Sequence, residues 1–162
     1  MSKKGGKKSK SNSSTIALNK KARYEYEFQE KFEAGLSLQG WEVKAIRQSK
    51  VNLTDSYIFI RKGEVFLVAC NITPLSTVST HFSADPLRGR KLLLHRKEID
   101  RLVGAVDKKS LTLVPVSMYW KKAWVKVEFA LAKGKKMYDK RQTEKDRDWS
   151  RDKSRIMKHY SR

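Results

Sequence analysis

The chain reads as a mainly β protein: a small, closed, antiparallel OB-like β-barrel with two or three flanking helices and basic terminal tails. Three observations predict it. Apolar and polar residues alternate over two long stretches, which is the period of a half-buried strand. Short β-rich runs are separated by turn chemistry at close intervals, so the strands pair as hairpins and not through long crossovers. The charge, finally, lies mostly outside the middle. Of a net +20, residues 1–23 carry +8 and residues 133–162 carry +7, against only +5 for the 24–132 body.

Residues 1–14, MSKKGGKKSKSNSS, have nothing to bury and read as a disordered basic tail. A short extended entry follows at Ile16–Leu18. Tyr24, Tyr26, Phe28, Phe32, Ala34 and Leu36 then share one parity, with Glu25, Glu27, Gln29, Lys31 and Glu33 on the other. That is a long strand with Glu33 facing outward. Glu30 alone interrupts its apolar side and predicts a bend there. Leu38, Trp41, Ala45 and Ile46 recur at helical spacing, and 52–56 is turn chemistry. Two apolar runs, Tyr57–Ile60 and Val65–Ile72, form a hairpin across Arg61-Lys62-Gly63-Glu64.

Residues 74–86 are loop-rich. In the next segment Arg88, Arg90 and Lys91 abut Leu92, Leu93 and Leu94, a run that reads as core. Ile99, Leu102, Val103 and Val106 predict an amphipathic helix over 95–106. Two last strands, 111–119 and 124–132, are joined by Trp120-Lys121-Lys122-Ala123. Val125, Val127, Phe129 and Leu131 point inward; Trp124, Lys126 and Glu128 face the other way. Pro115 cannot donate to a ladder and marks an edge or irregular position. The barrel thus covers 15–133.

From Gly134 to Arg162 the composition changes to dense charge with a narrow apolar stripe of Trp149, Ile156, Met157 and Tyr160. Thr143 and Asp146 have capping-box spacing. So thin a stripe does not hold a lone helix in water, so the tail is expected to be disordered when free and helical when bound.

Function by elimination points to binding. Cys70 is the single cysteine, which rules out an intrachain disulfide or a cysteine zinc cluster and suits a reducing cytoplasm. His81, His95 and His159 lie in separate segments without ligand-spaced companions. Gly134-Lys135-Lys136 lacks the upstream glycine and following hydroxyl of a phosphate loop. No apolar h-region follows the N-terminal lysines, and no run is long enough to cross a membrane. We expect no catalysis, no cofactor, no metal and no small-molecule substrate. The excess charge calls for a polyanion, and nucleic acid leads. Trp120, Lys121, Lys122, Trp124 and Lys126 interleave cations with aromatics around one hairpin tip. Either tryptophan fits base stacking or a place in the core under lysine stems; both readings stand on the sequence.

The ordered set Thr15-Ile16-Ala17-Leu18-Asn19, Glu33-Ala34-Gly35-Leu36, Gly40-Trp41-Glu42-Val43-Lys44, Asn71-Ile72, Lys91-Leu92-Leu93-Leu94-His95 and Ala132-Lys133-Gly134-Lys135-Lys136, with Asp139-Lys140-Arg141 after it, resembles the SsrA-binding protein (small protein B) family from about Ile16 to Met157. The resemblance implies an OB-like barrel that binds the tRNA-like domain of transfer-messenger RNA (SsrA RNA). It further implies delivery of that RNA to stalled ribosomes for trans-translation, in place of an anticodon arm. It assigns RNA contact to Glu33, Leu93 and Lys126, and Asn19 and Trp124 join them as candidates. Gly134, Lys135, Lys136, Tyr138, Asp139, Lys140 and Arg141 match the start of a tail used near the small-subunit decoding centre. Trp149, Ile156 and Met157 match the part lying in the empty mRNA channel. Many members carry His where this chain has Tyr138, which keeps a stacking face but cannot become cationic.

The second expectation is a structural ribosomal protein bound to rRNA, which basic tails on a small barrel also suit. A peripheral membrane protein ranks last, for want of an amphipathic helix or lipidation signal beside the lysines.

Overall fold

Val125, Val127, Phe129 and Leu131 all face the interior, as their alternation requires. The computed structural model describes residues 13–77 and 83–160. Its elements are β1 (Ser13–Leu18), α1 (Lys20–Glu25), β2 (Tyr26–Leu36), α2 (Gly40–Arg47), β3 (Val51–Asn52), β4 (Tyr57–Arg61), β5 (Glu64–Val68), β6 (Asn71–Ile72), β7 (Arg90–Leu93), α3 (Arg96–Lys109), β8 (Thr112–Lys121), β9 (Trp124–Gly134) and α4 (Met137–Tyr160). A seven-stranded antiparallel sheet runs β1-β8-β4-β5-β7-β2-β9, and a further β8–β9 pairing closes it into a ring. β3 and β6 form a small separate sheet. Closing the ring leaves few open strand edges, a condition for a β-rich chain to stay unaggregated.

The ring's interior is filled by one apolar cluster. Ala34 and Leu36 come from β2, Val65 and Leu67 from β5, Leu92 from β7, and Leu113 and Met118 from β8. Trp41, Ala45 and Ile46 of α2 and Leu102 of α3 add to it. Cys70 is buried in the same cluster, and burial pushes its thiol up to about 11, an inert core hydrophobe.

Local signals explain most element boundaries. Lys62 and Gly63 both take positive φ, 51° and 72°, and turn β4 into β5 within two residues. The predicted bend near Glu30 is a register shift between Phe28 and Glu30. Glu30 is neutralised there by Arg101 of α3 at 2.8 Å. Pro115 adjoins a second shift, between Pro115 and Ser117.

Three expectations change. Residues 20–25 are helical, not the start of the long strand: Asn19 caps them, its Oδ1 accepting from the Ala22 N–H at 3.0 Å. That cap overrides the alternation of Tyr24 and Tyr26. The run 65–72 is two strands, because Ala69 adopts a left-handed φ of 55° and re-aims Asn71 and Ile72 toward β3. The tail helix starts at Met137, six residues before Thr143; the Lys136 N–H donates to Asp139 Oδ2 at 3.2 Å, and Thr143 Oγ donates back to the Asp139 carbonyl. Of the N-terminal tail, residues 1–12 lie outside the described residues, while Ser13 and Ser14 already pair with Lys121 and Trp120 in β1. His81 also lies outside them.

Candidate nucleic-acid interface

Antiparallel register builds the site across four neighbouring strands. Leu93 of β7 lies opposite Gly35 of β2, Gly35 opposite Lys126 of β9, and Lys126 opposite Tyr119 of β8. Because side chains alternate across a strand, this row shares one surface of the ring, and Glu33 stands two residues from Gly35 on the same surface. Leu93, read as core from its leucine run, is instead 55% exposed. The reason is Arg90, which takes the inward position: β7 reads Arg90 in, Lys91 out, Leu92 in, Leu93 out.

Glu42 is what allows an arginine to point inward. Both Glu42 and Arg90 are fully buried, with Arg90 Nε 2.6 Å from Glu42 Oε1. The guanidinium also donates to the carbonyls of Cys70, Arg88 and Pro86. Arg88 reaches Glu42 Oε2 at 2.6 Å, and the Gln39 N–H, the N-cap of α2, donates to the same oxygen. Burial opposes ionisation of Glu42, but Arg88, the Gln39 N–H and Arg90 outweigh it and hold the carboxyl below its ordinary range. A buried charge so fully partnered pins the start of β7, and with it the outward aim of Leu93.

Glu33 is the electrostatic centre of the row. Lys121 Nζ lies 2.8 Å from its Oε1, the Tyr119 hydroxyl donates to Oε2, and Lys126 Nζ stands 4.0 Å away. The Lys121 and Tyr119 hydrogen bonds hold the Glu33 carboxyl below its usual range. Desolvation, and then the hydrogen bond to Glu33 with its charge, push the Tyr119 phenol well up. Cations at Lys121 and Lys126, one carboxylate to orient them and an apolar Leu93 make a surface for a phosphate-bearing ligand that also offers an apolar contact. A groove beside it is lined by Glu33, Lys91, Leu93, His95 and Lys126.

The other candidates are placed elsewhere. Trp124 is 71% exposed at the β8–β9 tip, opposite Lys121, whereas Trp120 is half-buried against the core. The two open alternatives thus divide between the two residues. Asn19 is buried; it caps α1, donates from Nδ2 to the Leu53 carbonyl at 3.1 Å, and its N–H donates to the Val116 carbonyl. That makes it a corner of the fold rather than a presented group.

Gly134 pairs with Tyr26 at the end of β9, and the Lys135 N–H donates to the Glu25 carbonyl at 2.9 Å. Lys140 Nζ sits 6.0 Å above the Tyr24 ring, whose hydroxyl donates to Glu144 at 2.7 Å. Asp139, beside Tyr138, raises that phenol. Lys136 and Arg141 are exposed on the same turns. Beyond them α4 runs on for a total of about 36 Å at 1.5 Å per residue. Trp149, Ile156 and Met157 along it are exposed.

Sequence reasoning missed Tyr119, and the roles of Gly35, Glu42 and Arg90. Tyr119 and Lys121 share a parity, but the bulge after Pro115 shifts that parity within the strand and hides it. Among the described residues no three His, Cys, Asp or Glu side chains are grouped to hold a metal, and no helix is long and apolar enough to cross a membrane.

Comparison with known proteins places this architecture. The family model described as SmpB protein matches residues 16–159. The SsrA-binding protein of Pseudoalteromonas translucida (strain TAC 125) is 61% identical over 153 residues, covering 94% of this chain and 96% of its own. That of Shewanella sp. (strain W3-18-1) is 57% identical, covering 94% of each. A solved chain described as "tmRNA-SmpB: a journey to the center of the bacterial ribosome" is 43% identical with a TM-score of 0.61, over 74% of this chain and 84% of its own. A match of this extent, on a ring that brings Glu33, Lys126 and Leu93 together, makes the chain a member of the SmpB family of SsrA-binding proteins.

Proposed function

We propose that the chain binds the tRNA-like domain of transfer-messenger RNA and delivers it to stalled ribosomes for trans-translation, standing where an anticodon arm is missing. The ring acts as an OB-like barrel whose outer surface grips the RNA. One observation carries the reading: Leu93, Lys126 and Tyr119 share a single solvent-facing row with Glu33 beside it. The relatives' names and the tmRNA-SmpB structure supply the identity of the RNA. Asn19 serves by fixing the corner between β1 and α1, and Trp124 by offering a ring at the hairpin tip. The α4 tail enters the decoding centre and the empty mRNA channel, where cations such as Lys136, Lys140 and Arg141 meet phosphate. Residues Trp149, Ile156 and Met157 anchor it. The protein works by binding, without a cofactor or a reaction of its own, in the cytoplasm.

The test is a binding titration of the tRNA-like fragment at several salt concentrations. Affinity is expected to fall roughly a thousandfold between 50 and 200 mM salt if several phosphates are neutralised. Comparable affinity for an unrelated duplex of equal length overturns the reading.

A further inference from the structure

The outer face of β4 and β5 carries an aromatic strip that the Glu33 cluster does not use. Tyr57 is 53% exposed and Phe59 36%. Phe59 stacks on Phe66 with centroids 5.7 Å apart and planes 25° from parallel, and the Tyr57 ring lies 6.5 Å from that of Phe59. Ile58, Val65 and Leu67 already fill the interior from the same two strands, so the three rings add nothing to the core. A cross-strand aromatic pair helps a hairpin keep its register, which accounts for the Phe59–Phe66 contact but not for Tyr57.

The strip continues the candidate RNA surface. Phe66 lies opposite Lys91 of β7, and Lys91 shares the outward parity of Leu93. Lys91 also lines the groove that holds Leu93, Glu33 and Lys126. The path from Tyr57 through Phe59, Phe66 and Lys91 to Leu93 therefore crosses β4, β5 and β7 without a break. Arg61 and Lys62 are exposed at its end, and its one anion, Glu64, is taken up by Lys91. Exposed rings bordered by surplus cations suit a polyanion with flat, apolar faces better than they suit a protein surface.

We infer that Tyr57, Phe59 and Phe66 form a stacking platform for unpaired nucleobases of the RNA held at Glu33 and Lys126. This rests on the function proposed above and adds a second contact region to it. Every base has a π-face, so the platform reads unpaired structure more than sequence, while Arg61 and Lys62 meet the phosphates alongside.

The experiment uses the full chain and a tRNA-like fragment carrying 5-iodouridine in its unpaired loops. Irradiation followed by mass spectrometry locates the cross-linked side chains. In parallel, fragment affinity is measured for Tyr57→Leu, Phe59→Leu and Lys126→Ala. Leucine keeps apolar bulk and removes the π-face, with the hydroxyl also lost at Tyr57, and thermal melting monitors the fold. We expect cross-links on Tyr57, Phe59 or Phe66, and a roughly 5- to 100-fold weakening for each leucine variant at unchanged melting temperature. The platform is overturned if no cross-link falls within 57–66 and the leucine variants bind within about twofold of wild type while Lys126→Ala weakens; the RNA reading then survives without it. Capture of a ribosomal protein by the strip, with RNA affinity untouched, also overturns it by naming a different partner. No affinity of the unsubstituted chain for the fragment removes the RNA reading itself.

Discussion

Leu93 lies directly over Gly35: a Cβ built on Gly35 stands 3.4 Å from the Leu93 Cβ and 3.5 Å from its Cδ1. The strand gives up a side chain at this point so that a leucine from the next strand can spread across it, between Lys91 on one side and Lys126 on the other.

The contact predicts a graded response. Gly35→Ala places its methyl at ordinary van der Waals distance and should leave both melting and RNA affinity unchanged. Gly35→Val adds branches into the space Leu93 occupies, and β-branching suits a strand, so the fold survives while Leu93 is displaced. Fragment affinity should then fall by about the same factor as in Leu93→Ala, on the order of tenfold for a lost apolar contact. Equal affinity of Gly35→Val and wild type, measured by filter binding, contradicts a role for Leu93 posed in this way.

Glu42 is expected to govern acid stability. Its folded carboxyl sits below the ordinary 4.5, so the unfolded chain takes up this proton first. The stabilisation is fully present above the ordinary range and is lost as pH falls through the lower folded value. Urea midpoints from pH 7 to pH 3 should show this loss in wild type and a shallower one in Glu42→Gln. Glu42→Ala, which leaves Arg90 buried and unpaired, should cost about 3–5 kcal/mol at pH 7. A midpoint within error of wild type would show that Arg90 finds another partner.

How much of this was legible in the sequence turns on register. The inward faces of β9 and of α3 were readable because their periods run uninterrupted through Val125–Leu131 and Ile99–Val106. β7 was not: Leu92, Leu93 and Leu94 read as one core run, and because Arg90 takes an inward position that arginine rarely occupies, the alternation that turns Leu93 outward does not show in the sequence. Only the partner Glu42, 48 residues away, reveals the true phase. Tyr24 misled in the opposite direction, continuing a strand period into a helix that a single capping asparagine had already started. Glu33 and Lys126 were found outward because their strands are regular at those positions; that they meet depends on the β2–β9 register, a long-range fact with no local signal.

Glu33 and Tyr119 form a pair whose titrations report on each other. Tyr119 is held up first by desolvation, then by its hydrogen bond to Glu33 and the Glu33 charge. Glu33→Gln removes the charge and leaves the burial, so the phenol should ionise at lower pH than in wild type yet still above an exposed tyrosine. The chain has six tyrosines, so the Tyr119 transition is read as the difference in ultraviolet absorbance, during alkaline titration, between each form and its Tyr119→Phe counterpart. Both partners of the Lys121–Glu33 pair are partly exposed, so the same substitution should change stability by less than about 1 kcal/mol. If the Tyr119 transition does not move, the hydrogen bond between the two is not formed in solution.

The proposed function assigns RNA binding to the ring and delivery to the tail, and the two can be tested apart. α4 touches the rest of the protein near its first turns, through Tyr24, Lys140 and Glu144, and Ile156 and Met157 lie more than two turns beyond, exposed and far along the chain from the row at Glu33. Ile156→Ala with Met157→Ala should therefore leave affinity for the tRNA-like fragment unchanged. If the apolar stripe anchors the helix inside the mRNA channel, the same double variant should abolish peptide tagging on stalled ribosomes, because cations alone hold a helix near RNA without fixing its depth or rotation. The two measurements belong together: lost tagging with intact RNA binding supports a tail that acts on the ribosome, whereas lost RNA binding would put these residues against the RNA instead. Normal tagging would mean that α4 is held by its charges alone.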